Sequence, residues 1–62
     1  MTKLAIVLDG SRKYEILRLS GLYYVNFGGS LGFSGPLSFS RDTEAIKRVR
    51  NAILSGELRP AR

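Results

Sequence analysis

A chain of 62 residues with ten Lys and Arg, five Asp and Glu, and neither Cys nor His holds one domain at most, near the lower limit for folding without staples. The missing Cys and His exclude disulfides and thiolate metal sites, argue against any protein-ligated zinc, and remove the commonest general base. A formal charge of +5 attracts polyanions, nucleic acid foremost.

No apolar run reaches the roughly 18 residues of a membrane span, and Leu4–Leu8 falls short of the roughly 7–15 residues of a signal-peptide core. A cytoplasmic location without a membrane partner is therefore expected, and a Cys-free chain suits that reducing compartment.

Leu4-Ala5-Ile6-Val7-Leu8 is a β-rich run closed by Asp9-Gly10, a strong hairpin signal. Lys13–Leu19 and Leu22–Phe27 are two further β-rich runs, separated by Ser20-Gly21. Together they predict an antiparallel meander over residues 2–27. A two-residue Asp9-Gly10 turn places Leu4 opposite Glu15 and Ile6 opposite Lys13, which puts strong hydrophobes on a charged face. A three-residue loop, Leu8-Asp9-Gly10, avoids this and sets Lys3 against Glu15. A two-residue Ser20-Gly21 turn then sets Ile16 against Val25 and Tyr14 against Phe27. In this register Leu4, Ile6, Tyr14, Ile16, Val25 and Phe27 share one face. Lys3, Ala5, Val7, Lys13, Glu15, Leu17, Leu19, Leu22, Tyr24 and Asn26 share the other.

Residues 28–36 are rich in Gly and Ser, with Phe33 among them. A bulged extension of the third strand and a short fourth strand at 37–39 are expected, with Phe33 pairing Leu37 and Leu31 pairing Phe39 around a Ser34-Gly35-Pro36 loop. The run Gly28-Gly29-Ser30-Leu31-Gly32 lacks the Lys and the following helix of a phosphate loop and reads as a bulge or flexible connection. A helix is predicted over about 42–55, capped by Asp42 or Ser40, with Ala45, Ile46, Val49, Ala52 and Ile53 as its apolar stripe and Gly56 as its stop. The fold class is α+β: a small antiparallel sheet of three to four strands with one C-terminal helix packed on one face. Residues 1–56 form the single domain, and 57–62 a flexible basic tail.

No pairing of acids or nucleophiles points to catalysis. Asp9 lies in a turn, Asp42 and Glu44 start the helix, Glu57 lies in the tail, and Glu15 has Lys neighbours. The chain is therefore expected to be non-enzymatic, with no cofactor and no metal. Two binding modes remain. In the first, a nucleic acid (DNA in preference to RNA) meets Lys3, Lys13, Tyr24 and Asn26 on the open sheet face as base readers. Arg12, Arg18, Lys47, Arg48 and Arg50 meet phosphates, with Arg41, Arg59 and Arg62 nearby. Such modules suit mobile elements and compact viral or prokaryotic genomes. In the second, Val7, Leu17, Leu19, Leu22 and Tyr24 form an apolar patch that binds a protein partner or makes a homodimer, as a phage-type inhibitor or adaptor does.

Three strands followed by Phe39-Ser40-Arg41-Asp42-Thr43-Glu44-Ala45 at the helix entry resemble, in outline, the AP2-type arm-binding domains of tyrosine recombinases. Those domains lay the sheet in the major groove and typically carry a Phe, a polar pair and Glu-Ala at this transition. The resemblance implies base reading by Lys3, Lys13, Tyr24 and Asn26. The insertion at 28–36 departs from the pattern.

Overall fold

The computed structural model describes residues 1–29 and 32–60. Its most regular feature is the hairpin between β2 (Arg12–Leu19) and β3 (Leu22–Asn26). Ser20 and Gly21 have φ of 53° and 78°, the left-handed pair of a two-residue type I′ turn. That turn fixes Leu19 opposite Leu22 and Ile16 opposite Val25, as the sequence leads one to expect. Tyr14 and Phe27, one step beyond the ladder, meet edge to face at 5.6 Å.

The first hairpin departs from expectation. β1 (Thr2–Asp9) reaches β2 through Gly10-Ser11, with Asp9 opposite Arg12. Only Gly10 of this pair has positive φ, at 65°, the pattern of a type II′ turn. The expected Leu8-Asp9-Gly10 loop does not form. Val7 instead faces Tyr14 and Ala5 faces Ile16, while Ile6 stands opposite Glu15 and Leu8 opposite Lys13. A shift of pairing between Lys3 and Ala5 marks a bulge at Leu4, beyond which Lys3 returns to the Glu15 side. β1 is thus reversed relative to the sequence reading: Val7 belongs to the core and Ile6 to the surface. The physical reason lies in the helix, which packs chiefly against β1. Val7 is buried there, and the bulge lets both Leu4 and Ala5 pack at the margin of the same core, so that among the β1 hydrophobes Ile6 and Leu8 are the ones turned outward.

The sheet order is β1-β2-β3. No separate fourth strand forms among the described residues. Phe33 bridges to Asn26 and Leu37 to Tyr23, so the 32–37 segment runs along the free edge of β3 and does not fold on itself. The Ser34 amide donates to Val25 O at 2.8 Å, the Val25 amide donates to Ser34 Oγ at 2.8 Å, and Tyr23 and Leu37 exchange both backbone bonds. The expected Phe33–Leu37 pair is absent because both residues spend their bridges on β3. The expected Leu31–Phe39 pair lies outside the described residues.

α1 (Asp42–Ser55) buries Ala45, Val49 and Ile53, the i, i+4, i+8 spacing of one helical stripe. With Val7, Tyr14, Ile16, Val25 and Phe27 they make the core, and Leu4, Ala5, Leu37, Phe39, Ile46 and Leu58 pack at its margin. The structure is therefore α+β, with the helix on one face of the sheet. Neither expected cap is used. Arg41 occupies the N-cap without a side-chain bond, and the Ser40 amide donates to Glu44 Oε1 at 3.1 Å. Gly56 ends the helix at φ 82°, a conformation in which a side chain is strained. Beyond it, Leu58 donates its amide to Ala52 O at 3.0 Å and reaches the core margin.

Candidate functional site

With α1 on one side of the sheet, the opposite, outer face carries the candidate site. β1 contributes Lys3, Ile6 and Leu8, β2 contributes Lys13, Glu15, Leu17 and Leu19, and β3 contributes Leu22, Tyr24 and Asn26, by the alternation of a pleated strand. The bridge to Asn26 adds Phe33. Ile6, Leu8, Leu19, Leu22 and Phe33 are exposed by 48, 68, 42, 37 and 56 %. Leu17, at 8 %, is covered on this face although it takes no part in the core under the helix; its cross-strand neighbours are Lys3 and Tyr24.

The polar groups of this face are turned on one another. Glu15 Oε1 accepts from Asn26 Nδ2 at 3.1 Å and Oε2 from Lys3 Nζ at 3.4 Å, while Asn26 Oδ1 accepts the Gly28 amide at 2.9 Å. The amide of Asn26, and then the ammonium of Lys3, hold the Glu15 carboxyl below its ordinary range. The predicted base readers Lys3, Lys13, Tyr24 and Asn26 do share one face, as expected. Lys3 and Asn26 are engaged within the protein there, and Lys13 is the cation of the group with no acid partner among the described residues.

The predicted phosphate contacts do not join them. Arg18 lies on the helix side, paired with Asp42, whose other oxygen accepts the Tyr23 hydroxyl at 2.7 Å. That bond, with burial second, raises the Tyr23 hydroxyl above its ordinary value. Arg12 stands at the hairpin tip opposite Asp9. Lys47, Arg48 and Arg50 are exposed on α1, across the sheet from the readers. Arg48 lies 3.7 Å from Glu44, and the two line a shallow groove with Phe39, Ser40, Arg41 and Lys47. A single flat docking therefore cannot use both cation sets.

Of the predicted apolar patch, Leu17, Leu19, Leu22 and Tyr24 share the outer face. Val7 does not: it is 4 % exposed beneath the helix, because the register of β1 is reversed. Ile6, Leu8 and Phe33 were not expected here. The signal for the first two was Gly10 itself, a good first residue of a type II′ turn when Asp9 and Arg12 close it as opposite charges.

No family model, curated protein or solved structure matches the chain. Among the described residues no cluster of carboxylates could hold a metal ion, and no helix is long and apolar enough to cross a membrane.

Proposed function

We propose that the protein is a small non-enzymatic protein-interaction module whose working surface is the outer face of the sheet. The observation that carries this reading is the exposure of Ile6, Leu8, Leu19, Leu22 and Phe33 on one face, around the covered Leu17. Ile6 and Leu8 on β1, Leu19 and Leu22 at the β2–β3 turn, and Phe33 beyond Asn26 ring the Lys3–Glu15–Asn26 cluster. That many large apolar side chains exposed on one face of so small a domain mark an interaction site. Nothing in the composition opposes the cytoplasm as its place of work. The test is a Leu8→Glu, Leu19→Glu double variant beside a Lys47→Glu control on the helix. The double variant keeps its far-UV circular dichroism and loses the complexes that wild type forms in cell extract, while the control retains them. A double variant that keeps every complex overturns the reading.

A second reading, nucleic-acid binding with DNA as the partner, is favoured by a separate observation. Lys3, Arg18 and Arg48 are paired with Glu15, Asp42 and Glu44, whereas Arg12, Lys13, Arg41, Lys47, Arg50 and Arg59 have no such partner among the described residues. Arg41, Lys47 and Arg50 belong to the helix and its entry, so the helix side is the stronger candidate for phosphate contact than the sheet quartet. Three phosphates neutralised give a log–log salt slope of about −2.7 for duplex DNA. Fluorescence anisotropy of a labelled mixed-sequence duplex, titrated across salt, measures it. Binding that ignores salt, or no binding at all, rules this second reading out.

A further inference from the structure

We infer that the occupant of the outer face is a second copy of this chain, seated sheet against sheet in a two-fold sandwich; this rests on the interaction reading above and names its partner. Four features lead there.

Area is the first. β1 and β2 of eight residues, β3 of five and the 32–37 segment of six, about 4.8 Å apart and at about 3.3 Å per residue, give a face of about 430 Å². Two copies together cover about 850 Å², the range of a weak, reversible association and not of an obligate dimer. The second is charge. The chain carries +5, so two copies repel, and they meet most cheaply where the charge is lowest. That is the outer face. Of the described Lys and Arg only Lys3 and Lys13 stand on it, and Lys3 is paired with Glu15. The Arg and Lys of α1 lie on the far side.

Shape is the third feature. Two antiparallel sheets of the same twist pack face to face at about −30°, and a second copy supplies that twist by identity. The last is core size. Apart from Leu17, the buried apolar cluster of the described residues lies between sheet and helix, and a sandwich adds a second apolar layer by burying Ile6, Leu8, Leu19 and Leu22 as each copy covers the other.

The experiment is sedimentation equilibrium of the full chain over a concentration series at low and high salt. It is run on wild type, Leu8→Glu/Leu19→Glu and Lys47→Glu, with binding of the neutral apolar dye Nile red as a parallel readout. The expected result is a wild-type dimer that tightens several-fold as salt screens the like charges. The double variant associates at least tenfold more weakly, and Lys47→Glu associates as wild type or better. A wild type that stays monomeric yet binds the dye, with binding lost in the double variant, overturns the second copy as occupant and leaves the interaction reading standing. A monomer that does not bind the dye overturns both. A dimer indifferent to the double substitution overturns the assignment to this face. If the double variant fails to fold, Leu8→Lys alone makes the same comparison, since Leu8 is the most exposed residue of the patch.

Discussion

The Tyr23 hydroxyl, from β3, donates to the Asp42 carboxylate, at the first turn of α1, across 2.7 Å. The same carboxylate also takes the Arg18 guanidinium of β2. One side chain thus ties the start of the helix to two strands, and it does so where Arg41 offers no cap of its own. The bond holds the phenol protonated. A group whose folded pKa is raised contributes stability that is complete below its ordinary value, about 10, and is lost as pH rises through the raised value.

Asp42→Ala removes both partners and the favourable carboxylate at the helix start. The pair with Arg18 is partly solvated, which limits its worth, and a loss of about 1–2 kcal/mol is expected. Urea unfolding followed by circular dichroism measures it. In a Tyr23→Phe background the same substitution costs less. Equal costs in the two backgrounds mean that the two side chains do not act together.

The reversed register of β1 has a direct test. Val7→Asp places a charge beneath the helix and unfolds the chain, because an unpaired buried carboxylate is not tolerated. Ile6→Asp, one residue away, leaves the circular dichroism spectrum of wild type. The opposite outcome restores the register in which Ile6 faces the core.

Ser20 holds a left-handed φ of 53°, which Asn adopts more readily than Ser. Ser20→Asn creates the Asn-Gly pair preferred in type I′ turns, and a gain of about 0.5 kcal/mol is expected. An unchanged or lowered urea midpoint removes the turn assignment.

Glu15 supplies the acid sensitivity of the outer face. Its carboxyl is held below the ordinary value by Asn26 and Lys3, so the folded state binds fewer protons than the unfolded state as pH approaches that value from above. The stability this contributes is present above pH about 4.5 and lost as pH falls through the lowered value. Glu15→Gln should show a shallower decline in urea midpoint between about pH 5 and pH 3 than wild type. Parallel declines in the two proteins rule out Glu15 as a source.

How far the chain could be read depended on local turn chemistry. Ser20-Gly21 lies between two unbroken β runs and admits one sensible pairing, and Ala45, Val49 and Ile53 with Gly56 mark the helix to its last residue. β1 failed for two linked reasons. Asp9-Gly10-Ser11 supports more than one turn, and the bulge at Leu4 brings Lys3 to the Glu15 side in the observed register, where the expected register places it without a bulge. The Lys3–Glu15 contact expected from one alignment is therefore present in the other, and it could not have told them apart. The choice rested on keeping hydrophobes off the charged face, yet Ile6 and Leu8 stand opposite Glu15 and Lys13. The outer face was legible in Leu17, Leu19, Leu22 and Tyr24. Its β1 share was assigned to the wrong side, and the edge pairing of 32–37 depends on Ser34 Oγ, a contact that no periodicity signals.

That edge pairing leaves the two margins of the sheet unequal. β3 is sealed by Ser34 and Leu37, while β1 presents the uncharged run Leu4–Leu8 along an open margin, the composition from which fibrils grow. The bulge at Leu4 breaks the ladder inside that run, and Lys3 stands beside the break. A straight β1 would be a template for stacking copy upon copy without end, and the irregularity at Leu4 guards against that.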